Sequence, residues 1–378
     1  MPIRPSNPLA PCGVRGLLWL GAELPVGARV FAAIGQMEQM MNRCLEVLVR
    51  LVVVLSLTAI VTTTVSAQEA TPGANAGQVD LAAATDWLMG QQQDDGGFPG
   101  FSGESDPSIT IDAIFALVAA QVAGVDTGDS IERAVAYLES GEVALVFAQT
   151  GAGQAAKLVL AVVATGGNPR DVAGVDALSL LEQGPDPDTG LYGTGVFDHA
   201  YVILALSAAG ADVPTEAIDA LASTQGPEGG WAFDGMTTEG AADSNTTALV
   251  VQALVAAGEA DNPMTQDALT YLGSAVEDTG GAVFQPGTGT PPDTSSTSFV
   301  VQALIAVGED PASEDWGDVA SALAEFQNES GAFHFNPDDT TDNIFSTVQA
   351  IPAAAGEALP LQSTATTALA VGAILEAA

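Results

Sequence analysis

Six stretches of the chain are apolar on almost every side. They read DAIFALVAAQVAG (112–124), AAKLVLAVVATGG (155–167), DHAYVILALSAAG (198–210), TTALVVQALVAAG (246–258), STSFVVQALIAVG (296–308) and NIFSTVQAIPAAAG (343–356). A helix without a polar face has to be buried on most sides. The stretches between them are shorter and two-faced. In Ala82–Gln91, Trp87 and Leu88 share an inward side while Asp86 and Gln91 face out. Further on, Ile131, Ala134, Val135 and Leu138 recur at helical spacing, with Glu132, Arg133 and Glu139 between them.

Gly-rich turns set the register of these pairs: QQQDDGGF (91–98), SGEVALVF (140–147), PDTGLYG (187–193), PEGGWAF (227–233), DTGGAVF (278–284) and ESGAFHF (329–335). With Gly97, Gly141, Gly190, Gly230, Gly281 and Gly331 as markers, the spacing is 40 to 51 residues, the period of a helical array. An open array exposes two apolar ends and normally carries polar capping repeats. Here the end units are as apolar as the middle ones, which closing the array into a ring would explain. The expected fold is all-α, an α6/α6 toroid of six helix pairs over residues 80–358. Residues 68–79 are a small, polar linker, and 359–378 form a tail whose TALAVGAILEAA segment can pack as a final helix.

Charge sharpens the picture. The 378 residues carry 47 Asp+Glu against 8 Lys+Arg. Residues 41–67 read as a secretory signal peptide, with Arg43 and Arg50 ahead of the apolar run Leu51–Val61 and Val65-Ser66-Ala67 as a small-residue cleavage site. The run is short for a membrane span; an uncleaved anchor tethering the protein at the envelope is the alternative. Residues 1–40 match no targeting pattern and are read as an extension ahead of a start at Met40 or Met41. Five of the 8 bases and 3 of the 47 acids precede the cut, leaving 44 acids against Arg133, Lys157 and Arg170. Such a chain repels phosphate backbones and anionic membranes, so neither is an expected partner. Cations or a salty medium suit it. Both cysteines, Cys12 and Cys44, also precede the cut, which leaves no disulfide, thiol nucleophile or Cys-ligated zinc.

The turns Gln93…Gly96-Gly97-Phe98 and Gln225…Gly229-Gly230-Trp231 resemble those of the terpene-cyclase/prenyltransferase toroid superfamily, over about residues 80–358. The segments 294–310 and 342–360 look closer to the helical domain of cobalamin carriers of the intrinsic-factor and transcobalamin kind. The enzymatic relatives can be tested by motif. Protein prenyltransferases hold zinc with Asp, Cys and His, and complement-like domains need Gly-Cys-Gly-Glu-Gln; the chain after the cut has no cysteine. Squalene-type cyclases protonate an alkene with Asp-x-Asp-Asp; the nearest string, Asn336-Pro337-Asp338-Asp339, departs at the first acid. Their aromatic cavity lining looks thin here, with 4 Trp, 4 Tyr and 13 Phe in all.

Polar residues recur where the apolar helices begin: Asp112, Asp198 with His199, Asn245-Thr246, Asp293, and Asp342-Asn343. They mark one mouth of the barrel as a ligand site, although Asp, Asn, Ser and Thr there also serve as helix caps. Trp231 and Phe333 join this candidate site; turn aromatics, among them Phe98, Tyr192, Phe233 and Phe284, serve equally as packing wedges. Asp338, Asp339 and Asp342 have the spacing of a magnesium–diphosphate motif, and Asp186 and Asp188 flank a Gly turn; both are weak metal candidates, with Ca²⁺ the natural ion. With His199 and His334 alone, no multi-His metal centre is available. The combined expectation is a secreted toroid binding a small molecule at its mouth, with cobalamin the ligand that the resemblance implies. Because the carriers' lid domain has no counterpart, a second chain would close over it. The alternatives are a terpenoid-cyclase/prenyltransferase-like or glycan-active enzyme, with Asp112, Asp198 and Asp293 as candidate acids or bases, and a structural envelope protein.

Overall fold

The computed structural model describes residues 78–361. The linker, signal-peptide and tail-helix expectations for 1–77 and 362–378 lie outside the described residues. Within them the chain is helical, and β-structure is confined to isolated bridges in the turns. No helix among them is long and apolar enough to cross a membrane.

The helices are α1 (Leu81–Met89), α2 (Pro107–Val122), α3 (Ser130–Glu139), α4 (Val143–Ala148), α5 (Ala152–Ala164), α6 (Ala177–Leu181), α7 (Val196–Ala208), α8 (Thr215–Thr224), α9 (Ser244–Ala256), α10 (Pro263–Ala275), α11 (Thr294–Val307), α12 (Val319–Ala322) and α13 (Ile344–Ala354). The apolar set α2, α5, α7, α9, α11 and α13 forms an inner ring. Each packs on the next, and α13 packs back on α2. The outer layer is uneven, from thirteen residues in α10 to four in α12, so the units are not six equal copies. The stretch 140–147, expected as a Gly turn like the others, instead carries α4.

Five of the six inner helices start earlier than their apolar runs; α13 starts one residue into its own. The residues just before them are Asp106, Gly151, Gly195, Asp243, Asp293 and Asn343. Asp106, Asp243, Asp293 and Asn343 accept backbone N–H bonds from the first turn, satisfying donors that a helix leaves unpaired. Counted from these residues, Asp198 and Thr246 are both third positions, whereas Asp112 is a sixth and Asn343 is the cap itself, so the polar residues at the start of the apolar runs are not all equivalent.

Three of the ring units, those of Gln92, Gln225 and Gln327, are locked to the next by one device. Gln225 Nε2 donates to its own turn at Gly229 O (2.7 Å) and to Met264 O of the following outer helix (2.9 Å). Gln92 does the same to Gly96 O and Ser130 O. The glutamine of the first turn is thus Gln92, not Gln93, whose amide bonds Gly103 O instead. The run of three glutamines hid the register. The following glycine has φ +91° at Gly229 and +93° at Gly331, and a Cβ there would run into the carbonyl oxygens of Asp267 and Ala83; only glycine allows that approach. Leu359 and Leu361 are buried, and Leu359 N–H donates to Gln252 Oε1 of α9 (2.9 Å). The packed body therefore runs past 358, and residues 359–361 sit against the inner ring.

Candidate functional site: the lumen of the inner ring

Counted from the residue that precedes each inner helix, the sixth positions are Asp112, Lys157, Tyr201, Leu249, Phe299 and Gln349. The ninth positions are Phe115, Leu160, Leu204, Gln252, Gln302 and Pro352. A step of three to four residues returns to the same helix face, and here that face looks down the axis of the ring. Asp112, Lys157, Tyr201, Phe299 and Gln349, with Phe115, Gln302, Pro352, Phe197, Val348 and Leu359, line one cavity of about 130 Å³. Helices α2, α5, α7, α11 and α13 all contribute to it.

Its centre is an ion pair. Lys157 Nζ lies 2.6 Å from Asp112 Oδ1, also donates to Ser108 Oγ (3.2 Å), and sits 5.9 Å from the centre of the Tyr201 ring. The two side chains are 14% and 21% exposed, so the pair is partly desolvated. Burial pushes the Asp112 carboxyl above its usual range, and the Lys157 ammonium pulls against that. Burial, with the Asp112 charge, drives the Tyr201 phenol up, so it stays a neutral hydroxyl. Lys157 is the only lysine in the chain. Phe197 joins this centre to the mouth: its ring lies 5.3 Å from Tyr201, 6.4 Å from Phe299 and 5.6 Å from Phe233.

Of the residues expected at the site, Asp112 lines the lumen. Asn245 is the second residue of α9 and is half-buried, but it does not line the cavity. The others are held elsewhere. Asp198 caps its own turn, accepting from Thr194 N and Oγ1 (3.0 Å each). Thr246 donates to Asp243 Oδ2, and Asp293 takes Ser296 N and Oγ. Asn343 is the cap of α13, and Asp342 accepts from Asn328 and Ser330. Trp231 and Phe333 are fully buried wedges, not mouth residues, and Trp231 Nε1 donates to Leu221 O.

His199 is structural too. In four units the helix residue four places after the cap is Thr110, Thr247, Thr297 or Thr347, whose hydroxyl accepts the N–H of Phe98, Trp231, Ala282 or Phe333. His199 takes that place in α7. Its Nδ1 accepts from Tyr192 N (2.9 Å), and Nε2–H donates to Ala217 O (2.8 Å).

The weak metal candidates stay apart. Asp186 closes a turn on the N–H groups of Asp188 and Thr189, which lowers its pKa. Asp339 is held by Thr341, and Asp338 is exposed. Among the described residues no three His, Cys, Asp or Glu groups stand close enough to hold a metal ion.

Sequence reasoning missed Lys157, Tyr201, Phe299, Gln302 and Gln349. The available clue was a lone lysine inside an otherwise apolar helix, a costly placement unless paired.

The closed ring, the Gln-linked Gly turns and the axial lumen agree with a known domain. The model of the prenyltransferase alpha-alpha toroid domain matches residues 43–146 and 241–355. The chain belongs to this family. No protein of curated function matches the toroid significantly. Among solved structures, the toroid is similar to the GH76A alpha-1,6-mannanase from Salegentibacter sp. HEL1_6, with TM-score 0.55 and 13% identity over 74% of this chain and 100% of that one. It is similar to the type II terpene cyclase MstE from Scytonema, with TM-score 0.52 and 15% identity over 73% and 96%. A protein from Actinoplanes gives TM-score 0.53 and 16% identity over 73% and 98%. At these identities the toroid shares a fold with enzymes of two chemistries, and the site has to speak for itself.

Proposed function

We propose that this toroid binds a small molecule, or the end of a larger one, in the lumen at the Asp112–Lys157 pair. The observation that carries the reading is that the chain's only lysine, paired with a carboxylate, stands among Tyr201, Phe197 and Phe299 in an open cavity. Apolar walls with a few convergent polar groups are the ordinary make-up of a ligand site.

Size and charge narrow the reading. Drug-sized ligands occupy pockets of roughly 300–1,000 Å³, and this lumen has about 130 Å³. It admits a small ring or a chain end. A corrinoid is far larger, so the cobalamin reading draws no support from the lumen. Glycoside hydrolysis uses two carboxyl groups about 5–9.5 Å apart, and among the described residues Asp112 is the one carboxylate lining the cavity. The signal-like stretch 41–67 supports export.

A second reading, a terpenoid-cyclase-like lyase or isomerase, has one observation in its favour: Asp112 is half-buried beside aromatic rings, with its pKa raised. Such rings stabilise cations. Against it, the ammonium at 2.6 Å favours the ionised carboxylate, which is a base rather than an acid.

Native mass spectrometry of the purified full chain, alone and with a library of small polar fragments, tests the reading. Retained fragments should be lost in Lys157→Met. If no fragment binds, or binding is indifferent to Lys157→Met, the lumen is not the site. Turnover of an isoprenoid that Asp112→Asn abolishes would establish the second reading.

A further inference from the structure

Phe233, Phe284 and Phe335 occupy the same place in three successive turns, two residues after Trp231, Ala282 and Phe333. All three are large apolar side chains left in solvent, at 55%, 43% and 40% exposure. The carbonyl of each accepts the first N–H of an inner helix: Phe233 from Val196 of α7, Phe284 from Ser244 of α9 and Phe335 from Thr294 of α11. These helices are consecutive neighbours in the ring. Packed helices lie about 8–10 Å apart, so the phenylalanines form an arc with roughly that step along one side of the mouth. Half-buried Asn245 and Ser295 stand one residue further along α9 and α11. At one end of the arc the ring of Phe233 meets Phe197, whose ring lines the lumen.

We infer that lumen and arc form one extended site for a neutral oligosaccharide, bound end-on, with its terminal unit in the lumen and the following units across the phenylalanines. The inference rests on the binding reading above and names its ligand class. Three features select it. A sugar presents C–H faces that pack on aromatic rings, and the lumen has room for a small ring. A lining side chain also carries an unmet acceptor: among the described residues Gln349 Oε1 is buried without a hydrogen-bond donor, a costly state that turning the amide towards a ligand hydroxyl relieves. Finally, a chain of net charge −39 repels sulfated, phosphorylated or uronic polymers, so the sugar is uncharged. An apolar helix or acyl chain would use the arc but would leave Gln349 unpaired.

Calorimetry on the full chain separates these cases, with neutral linear hexasaccharides, the matching monosaccharides, dextran sulfate and the uncharged apolar dye Nile red as probes. A neutral hexasaccharide should bind and dextran sulfate should not. Phe284→Ala with Phe335→Ala removes two exposed rings and leaves the core intact. It should weaken the hexasaccharide about tenfold while leaving the monosaccharide unchanged. Gln349→Ala should weaken both. If no neutral hexasaccharide binds, or if the double variant binds it normally, the inference is overturned. Nile red binding that the double variant removes, without sugar binding, would assign the arc to an apolar partner. A small fragment still held at Lys157 in the absence of sugar binding would sink this inference alone; loss of fragment binding as well would sink both.

Discussion

Gln327 and Asp80, 247 residues apart, exchange two hydrogen bonds: Asp80 N–H donates to Gln327 Oε1 (2.8 Å), and Gln327 Nε2 donates to Asp80 O (2.9 Å). Gln92 and Gln225 use the same amide to bind the next outer helix. For Gln327 the next outer helix is the first one. The bond that links neighbours elsewhere closes the ring here, and it is the longest-range hydrogen bond among the described residues.

Gln327→Ala should therefore cost more than its exposure implies. It removes both bonds to Asp80 and the bond to Gly331 O. At about 1 kcal/mol net per bond, the loss is about 2–3 kcal/mol, measured by urea unfolding. Gln225→Ala removes bonds of the same kind without opening the seam. If opening the seam frees the terminal units, only Gln327→Ala should broaden the transition or speed hydrogen exchange in α1 and α13.

The Asp112–Lys157 pair separates binding from stability. Lys157→Met strands a partly desolvated carboxylate and should destabilise by about 1–3 kcal/mol, below the cost for a fully buried pair because both groups keep some solvent. Adding Asp112→Leu should recover most of that loss, since an apolar replacement of a buried pair is often neutral. Thermal melts report the recovery, and fragment binding should stay lost in the double variant.

His199 gives the fold an acid-sensitive joint. Burial lowers its pKa from the usual value near 6.5, and Nδ1 must be unprotonated to accept Tyr192 N–H. Below about pH 6.5 the unfolded chain takes up a proton that folded His199 refuses. Stability therefore falls as pH drops from 6.5 towards the folded-state pKa, and levels off beneath it. His199→Thr installs the residue that the other units use. It should lose about 1–2 kcal/mol at pH 7.5, because Ala217 O loses its donor, yet it should flatten the pH dependence. Chemical denaturation between pH 4.5 and 7.5 checks the crossing of the two curves.

Asp243 caps α9 through Thr246 N and also holds Thr246 Oγ1. Asp243→Ala should cost about 1–2 kcal/mol. Asp243→Asn keeps an acceptor and should cost less. If the two variants are equal in urea unfolding, the cap bond is not what holds the carboxylate there.

Much of the ring was legible in the chain itself. Helices without a polar face cannot sit on a surface, and end units as apolar as the middle ones cannot be left open. Those two facts require burial on all sides and closure, whatever the details. The candidate site was only partly legible. Polar letters at the start of an apolar run signal a cap and a mouth equally well, so Asp198, Asp293 and Asn343 looked like Asp112. Which residues face the lumen depends on the phase of each helix, and the phase is set by where the helix begins. Asp106 starts α2 six residues before Asp112, a boundary that apolarity alone does not mark. Tertiary packing decided that phase, because only one face of each inner helix can point down the axis once all six are packed side by side. By that choice Lys157, Tyr201, Phe299 and Gln349 came to the same level as Asp112. His199 went to the core, where a backbone N–H needed an acceptor.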